Sequence, residues 1–167
     1  MKRKGKSGFS LVEIAIVVAI IGILAALAIP LFSIILKKSR FSTLANDLRI
    51  FSDAFTTYAL ENADYPATHT TPGTYVPGMN VDKQLLSTAW LSKTPIGGVY
   101  TWVYTSDPNP ANREAYIQLV EQGENTFNIT LADILSLDEE IDDGNLGTGY
   151  LQVAGTRVRY YLRTNTP

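Results

Sequence analysis

Apolar and polar positions alternate in three different ways along this chain. From Ile14 to Leu36 no residue is charged, and those 23 residues make about 34 Å of helix at ~1.5 Å each, enough for a hydrocarbon core of ~30 Å. From Phe41 the run gives way to a period: Phe41, Leu44, Leu48, Phe51, Phe55 and Tyr58 recur at intervals of three and four, the spacing of a helix with one buried stripe. Asp47, Arg49, Asp53 and Thr57 fill its other faces. One helix is therefore expected from about Leu11 to Asn62, lipid-embedded in its first half and packed on a sheet in its second, with Asn62 and Pro66 ending it.

Residues 63–95 hold three prolines and two glycines before Pro95 closes the stretch. They read as an irregular connection, with a short helix expected over Asp82–Trp90. Alternating β-branched and aromatic residues then predict strands. Val99–Tyr104 lies between Gly97-Gly98 and Pro108, and Ala115–Glu121 follows the turn DPNPAN. Leu131, Ile134, Leu135, Leu137 and Ile141 restore helical spacing over Thr130–Ile141, and Tyr150–Val153 with Arg157–Arg163 form a hairpin across Ala154-Gly155-Thr156. The expected fold class is α+β: one long N-terminal helix against a small antiparallel sheet of about four strands.

Charge sharpens the division. Lys2, Arg3, Lys4 and Lys6 precede the apolar run, and Lys37, Lys38 and Arg40 follow it. Beyond position 40 seven basic residues face fifteen acidic ones, although the whole chain sums to only −2. So acidic a head is a poor general binder of nucleic acid, which needs clustered Lys and Arg. Arg157, Arg159 and Arg163, with Tyr161 among them on one face of the last strand, face an acidic neighbour or water more readily than phosphate. There is no cysteine, hence no disulfide framework and no thiolate metal ligand.

Glu13 is the anomaly, an acid at the mouth of the apolar run. A carboxylate deep in a bilayer costs ~2.5–3.5 kcal/mol on insertion scales. Two ordinary readings leave it unexplained. One is a secretory signal with a basic start and Ala26-Leu27-Ala28 as its cleavage site; the other is a plain signal anchor. The first also conflicts with apolar character that continues through Ile34-Ile35-Leu36. The basic leader favours a cytoplasmic start, which the second basic cluster, nearly as large, opposes.

The stretch KGKSG-FSLVEIAIVVAIIGILAALAIPLF resembles the leader and N-terminal helix of type IV pilins and type II secretion pseudopilins. Its features are a short basic leader, Gly8 before Phe9, Glu13 four residues on, and an unbroken apolar helix containing Pro30. The resemblance covers residues 5–36 closely and implies cleavage of Gly8–Phe9 by a membrane prepilin peptidase, often followed by N-methylation of Phe9. It gives residues 1–8 as leader, 9–36 as transmembrane and assembly helix, 37–62 as its amphipathic continuation, and 63–167 as the α+β head.

The same resemblance implies a structural subunit that a platform in the bacterial inner membrane assembles with other pilin-like chains, the head outside the cytoplasm. In that family the glutamate is thought to pair with the terminal amine of a neighbouring subunit, which would offset its charge. Ala15, Ala19, Gly22 and Ala26 fall on one helix stripe, where small residues let helices approach closely in lipid. Pro30 removes one helical donor and predicts a bend near residues 26–30. A type II secretion pseudopilus is the first reading and a type IV pilus for adhesion or motility the second. A secreted or anchored extracytoplasmic binding domain is the alternative from another class.

No constellation of catalytic residues is present. The one histidine, His69, lies in a Thr- and Pro-rich loop, and there is no phosphate loop or histidine pair for a metal. The run LDEEIDDGN places carboxylates against a helix C-terminus, where they oppose the macrodipole. A hard cation held by Asp142, Asp143 and Asn145 would relieve that, and Ca²⁺ takes such ligands; some pseudopilins hold calcium in a C-terminal loop. The spacing is not that of an EF-hand, and a solvated helix end with Gly144 as its cap is the simpler reading.

Overall fold

The computed structural model describes residues 8–79, 86–109 and 112–163. The leader up to Ser7 and part of the turn DPNPAN lie outside those residues. Helix α1 runs Leu11–Asn62, as the two apolar patterns predict. The chain divides into two compact units at Ser39–Arg40.

In the first unit the apolar side chains of α1 are exposed on every side: the consecutive residues Ile14, Ala15, Ile16, Val17 and Val18, which together go round the helix, all face outwards. A helix that is apolar all round has no solvent-facing stripe and belongs in lipid or among other helices. It is long and apolar enough to cross a membrane. The helical assignment continues through Pro30.

In the second unit α1 buries Phe41, Leu44, Leu48, Phe51 and Phe55. Four antiparallel strands follow: β1 (Val99–Thr105), β2 (Glu114–Val120), β3 (Leu151–Ala154) and β4 (Arg157–Arg163), in the order β1-β2-β4-β3. Helix α2 (Leu131–Ile141) separates β2 from β3. Tyr100 and Trp102 of β1, Ile117 and Leu119 of β2 and Val158 of β4 meet the α1 stripe in one core. Aromatic rings fill its centre. Phe55 stacks on Trp102 with centroids 3.7 Å apart, and Phe51 meets Tyr100 and Trp90 edge-on at 5.0 and 5.2 Å.

The connection after α1 is held by the indoles. Trp102 Nε1 donates to Pro66 O at 2.9 Å and Trp90 Nε1 to Thr74 O at 3.1 Å, so both buried donors are satisfied. Within Asp82–Trp90, the described residues form only a 3-10 turn over Thr88–Leu91; residues 80–85 lie outside the description. His69 is tied to the sheet: its backbone exchanges two 2.9 Å hydrogen bonds with Trp102, covering part of the β1 edge. Thr74 gives its hydroxyl proton to Thr71 O, so its oxygen accepts from His69 Nε2–H, 2.7 Å away.

Tight turns bring the strands together. Gly97, at φ +89°, lets its turn reach the 126–127 backbone, where a Cβ would stand 2.0 Å from Thr126 O. Helix α2 starts on a reciprocal cap: Thr130 Oγ1 accepts from Asp133 N–H, and the Asp133 carboxylate accepts from Thr130 N–H. Its C-cap is Asp142, not Gly144 as expected.

Candidate functional site: the start of the long helix and the acidic end of the second

The first turn of α1 is capped reciprocally by a capping-box pair, with the serine bonded at N2 rather than N3. Ser10 Oγ accepts from Val12 N–H at 3.2 Å, and Glu13 Oε2 accepts from Ser10 N–H at 2.7 Å. Ile14 N–H completes the first helical bond to Ser10 O. The pattern S-x-x-E before an apolar run signals this arrangement directly; the sequence reading used Glu13 only as a charge. Glu13 therefore already has a donor in its own chain, and its negative charge stands at the positive end of the helix dipole. Losing a serine cap costs ~0.5–2 kcal/mol. Ser10→Ala is expected to speed amide exchange at Leu11–Ile14 several-fold in the detergent-solubilised chain, and unchanged exchange would contradict the cap.

Gly8 and Phe9 are exposed ahead of this turn. Ala15, Ala19, Gly22 and Ala26 are exposed on the helix too, and a Cβ on Gly22 would meet nothing within 4 Å. The helical register keeps these four on one stripe. Pro30 leaves the carbonyl of Ala26 without its helical donor.

The second candidate is the end of α2. Asp142 Oδ2 accepts from the backbone N–H groups of Tyr150 and Leu151, stapling the helix end to the start of β3. Gly149 makes room for it, since a Cβ there would lie 2.1 Å from Asp142 Oδ2. Asp143 accepts from Asn145 N–H and Thr148 Oγ1 at 2.8 and 2.7 Å, which hold its carboxyl below the ordinary carboxylate range. Asn145 Oδ1 accepts from Gly147 N–H.

The residue the sequence reading passed over is Asp138. It is 0 % exposed, and neither carboxylate oxygen has a hydrogen-bond partner. Burial, then the charges of Asp142 and Asp143, hold its carboxyl above the ordinary range. The N–H groups of Asn145 and Gly144 pull the other way, though neither closes a hydrogen bond on it. One oxygen each from Asp138, Asp142 and Asp143 lie within 4.8 Å of one another. The signal was present: Asp138 stands four residues after Ile134 and three before Ile141, on the apolar stripe rather than the wet face.

On β4, Arg159 lies over the Tyr116 ring at 5.0 Å and donates to Tyr161 OH at 3.3 Å. These bonds within the sheet engage one of the two arginines whose side chains are described. Arg157 is exposed.

Comparison with known proteins adds the following. Residues 3–29 match the family described as the prokaryotic N-terminal methylation motif. The type II secretion system core protein G of Pseudomonas aeruginosa is 38% identical over 68 residues, which are 41% of this chain and 48% of that protein. Its counterparts from Klebsiella michiganensis and Aeromonas hydrophila are 35% and 34% identical over the same length and shares. The chain thus spans about half the length of the curated relatives it matches. Among solved structures, the major type IV pilin PilA1 from Clostridium difficile aligns with a TM-score of 0.46 at 17% identity, covering 75% of this chain and 96% of that one. The methylation motif at its front and its similarity over 68 residues to type II secretion core proteins support a pilin or pseudopilin family for this chain.

Proposed function

We propose that this chain is a membrane-stored structural subunit of a type II secretion pseudopilus, built into the filament through α1. The observation that carries the reading is the first unit of α1: an apolar helix exposed on every side, opened by an acid held in a capping box. In lipid the apolar surface is satisfied and Glu13 keeps its local donor. Cleavage of Gly8–Phe9 removes four basic residues and leaves one ammonium at Phe9. In the filament that ammonium, on a neighbouring copy, takes the Glu13 carboxylate as its partner. Sister pilin-like chains, the prepilin peptidase and an inner-membrane platform are the partners this reading requires, with the head on the outer side. The secretion-system relatives favour a pseudopilus over a surface pilus.

Intact-mass analysis of the mature chain tests the processing. An N-terminus at methylated Phe9 supports the reading; a start after Ala28, or a retained leader, overturns it.

The same reading includes a calcium ion at the end of α2. The donor set fits: three carboxylates whose oxygens lie within 4.8 Å of one another, one of them buried and unpartnered. Ca²⁺ binds oxygen at about 2.3–2.6 Å, so ligand atoms on opposite sides of it stand about 4.6–5.2 Å apart. Asp138, Asp142 and Asp143 would hold it, with Asn145 turned to its own loop. The ion's two positive charges would offset part of the charge of a segment, residues 114–156, that holds nine acids and no lysine or arginine. Saturating CaCl₂ is expected to raise the unfolding temperature of the full chain in detergent by several degrees, and Asp138→Asn to abolish that shift. No calorimetric heat and no shift in the unsubstituted protein would remove the ion from the account.

A further inference from the structure

A cleft of about 570 Å³ lies between α1 and the turns at Ser92–Gly97 and Glu124–Asn128, within the size range of small-ligand sites (~300–1,000 Å³). Four charges line it: Arg40 and Asp47 from α1, Lys93 and Glu124 from the turns. Arg40 donates to Asn128 Oδ1 at 3.3 Å once that amide is oriented to give its N–H to Ile96 O. Asp47 accepts from Tyr100 OH at 3.1 Å, and burial raises its carboxyl above the ordinary range. Both α1 charges are thus anchored by neutral partners, and Thr43 and Thr126 add hydroxyls to the walls. Two cationic and two anionic groups line one small volume and sum to zero. A free anion would meet the carboxylates and a free cation the bases, so a zwitterion is the ligand that matches both halves.

Chain connectivity supplies the source. Arg40 follows Leu36, the end of the apolar run, by four residues, with Lys37 and Lys38 between. Long basic side chains near the end of a membrane span reach the interface, and the headgroups there carry phosphates on either leaflet. We propose that this cleft seats the headgroup of a phosphoethanolamine lipid, its phosphate taken by Arg40 and Lys93 and its primary ammonium by Asp47 and Glu124. A seated headgroup would tether the head to the membrane surface during storage and would be left behind when the subunit is extracted. The inference rests on the reading of the chain as membrane-stored.

The test uses the full, unassembled chain in micelles of a neutral sugar detergent, titrated with dihexanoyl-phosphatidylethanolamine while the amide shifts of Lys93, Thr94 and Thr126–Asn128 are followed by NMR. Saturable shifts are expected, and Arg40→Gln and Lys93→Gln should each weaken binding at least fivefold with the head's unfolding temperature unchanged. The phosphatidylcholine analogue, whose trimethylated amine donates no N–H, should bind at least fivefold more weakly, as should inorganic phosphate. Absence of saturation, equal binding by both variants, or equal binding of the choline lipid or of phosphate would each overturn the proposal. Because no filament is needed, failure here leaves the assembly reading standing, and a failed assembly reading leaves this titration readable.

Discussion

Replacing Trp102 with alanine is expected to lower the unfolding temperature of the head by about 12–40 °C, a shift readable by circular dichroism. The indole is fully buried, stacks on Phe55 at 3.7 Å and donates to Pro66 O at 2.9 Å. Truncating such a side chain costs ~3–5 kcal/mol through lost transfer energy and the cavity left behind. Orphaning the Pro66 carbonyl adds a further ~1–3 kcal/mol where water cannot reach it. Total stability of a domain is only ~5–15 kcal/mol, and each kcal/mol moves the midpoint of a head this size by ~3–5 °C. Trp102→Phe should fall between, because it fills most of the volume but loses the donor. Leu60→Ala, at a position 81% exposed, should stay within ~0.5 kcal/mol of the unsubstituted protein. If Trp102→Ala and Leu60→Ala melted together, the aromatic core would not be what holds the head.

The second large effect is on assembly and leaves the head untouched. Glu13→Ala is expected to reduce the assembled-filament fraction by more than tenfold, with the subunit still present in the membrane at its normal level. On the proposed pairing the physical reason is symmetrical: without the carboxylate, the Phe9 ammonium of the neighbour would be buried in low dielectric without a partner, which costs several kcal/mol. A loss of ~1.4 kcal/mol per subunit contact already lowers association tenfold. Glu13→Gln retains an acceptor for Ser10 N–H and so keeps the cap, but it carries no charge. The cap and the assembly role separate here: a variant that caps normally and assembles poorly assigns the requirement to charge.

The α1 bounds were legible because two independent patterns, an uncharged run and a three-four period, meet end to end without a helix breaker strong enough to separate them. The four strands were legible from aromatic and β-branched alternation between glycine and proline turns, and their ends moved by only a residue. The path of residues 63–79 was not legible. Its shape depends on where Trp90 and Trp102 point their indole N–H groups, a tertiary fact with no local signature. His69 illustrates this, since its pairing with the β1 edge follows from the fold and not from its neighbours. Two features of the site are legible in the sequence. The Ser10-x-x-Glu13 pattern signals a helix cap, and Asp138 occupies an apolar helix position, so periodicity is a better guide to both than charge alone.

Zero-length carbodiimide coupling of filaments assembled from mixed ¹⁴N- and ¹⁵N-labelled subunits tests most directly whether the acid at the lipid threshold is partnered between copies. A cross-linked peptide pair joining the residue 9 amine to Glu13, with one half from each isotope pool, is the predicted product. Filaments that form normally yet yield this link only within one pool, or not at all, would contradict the account.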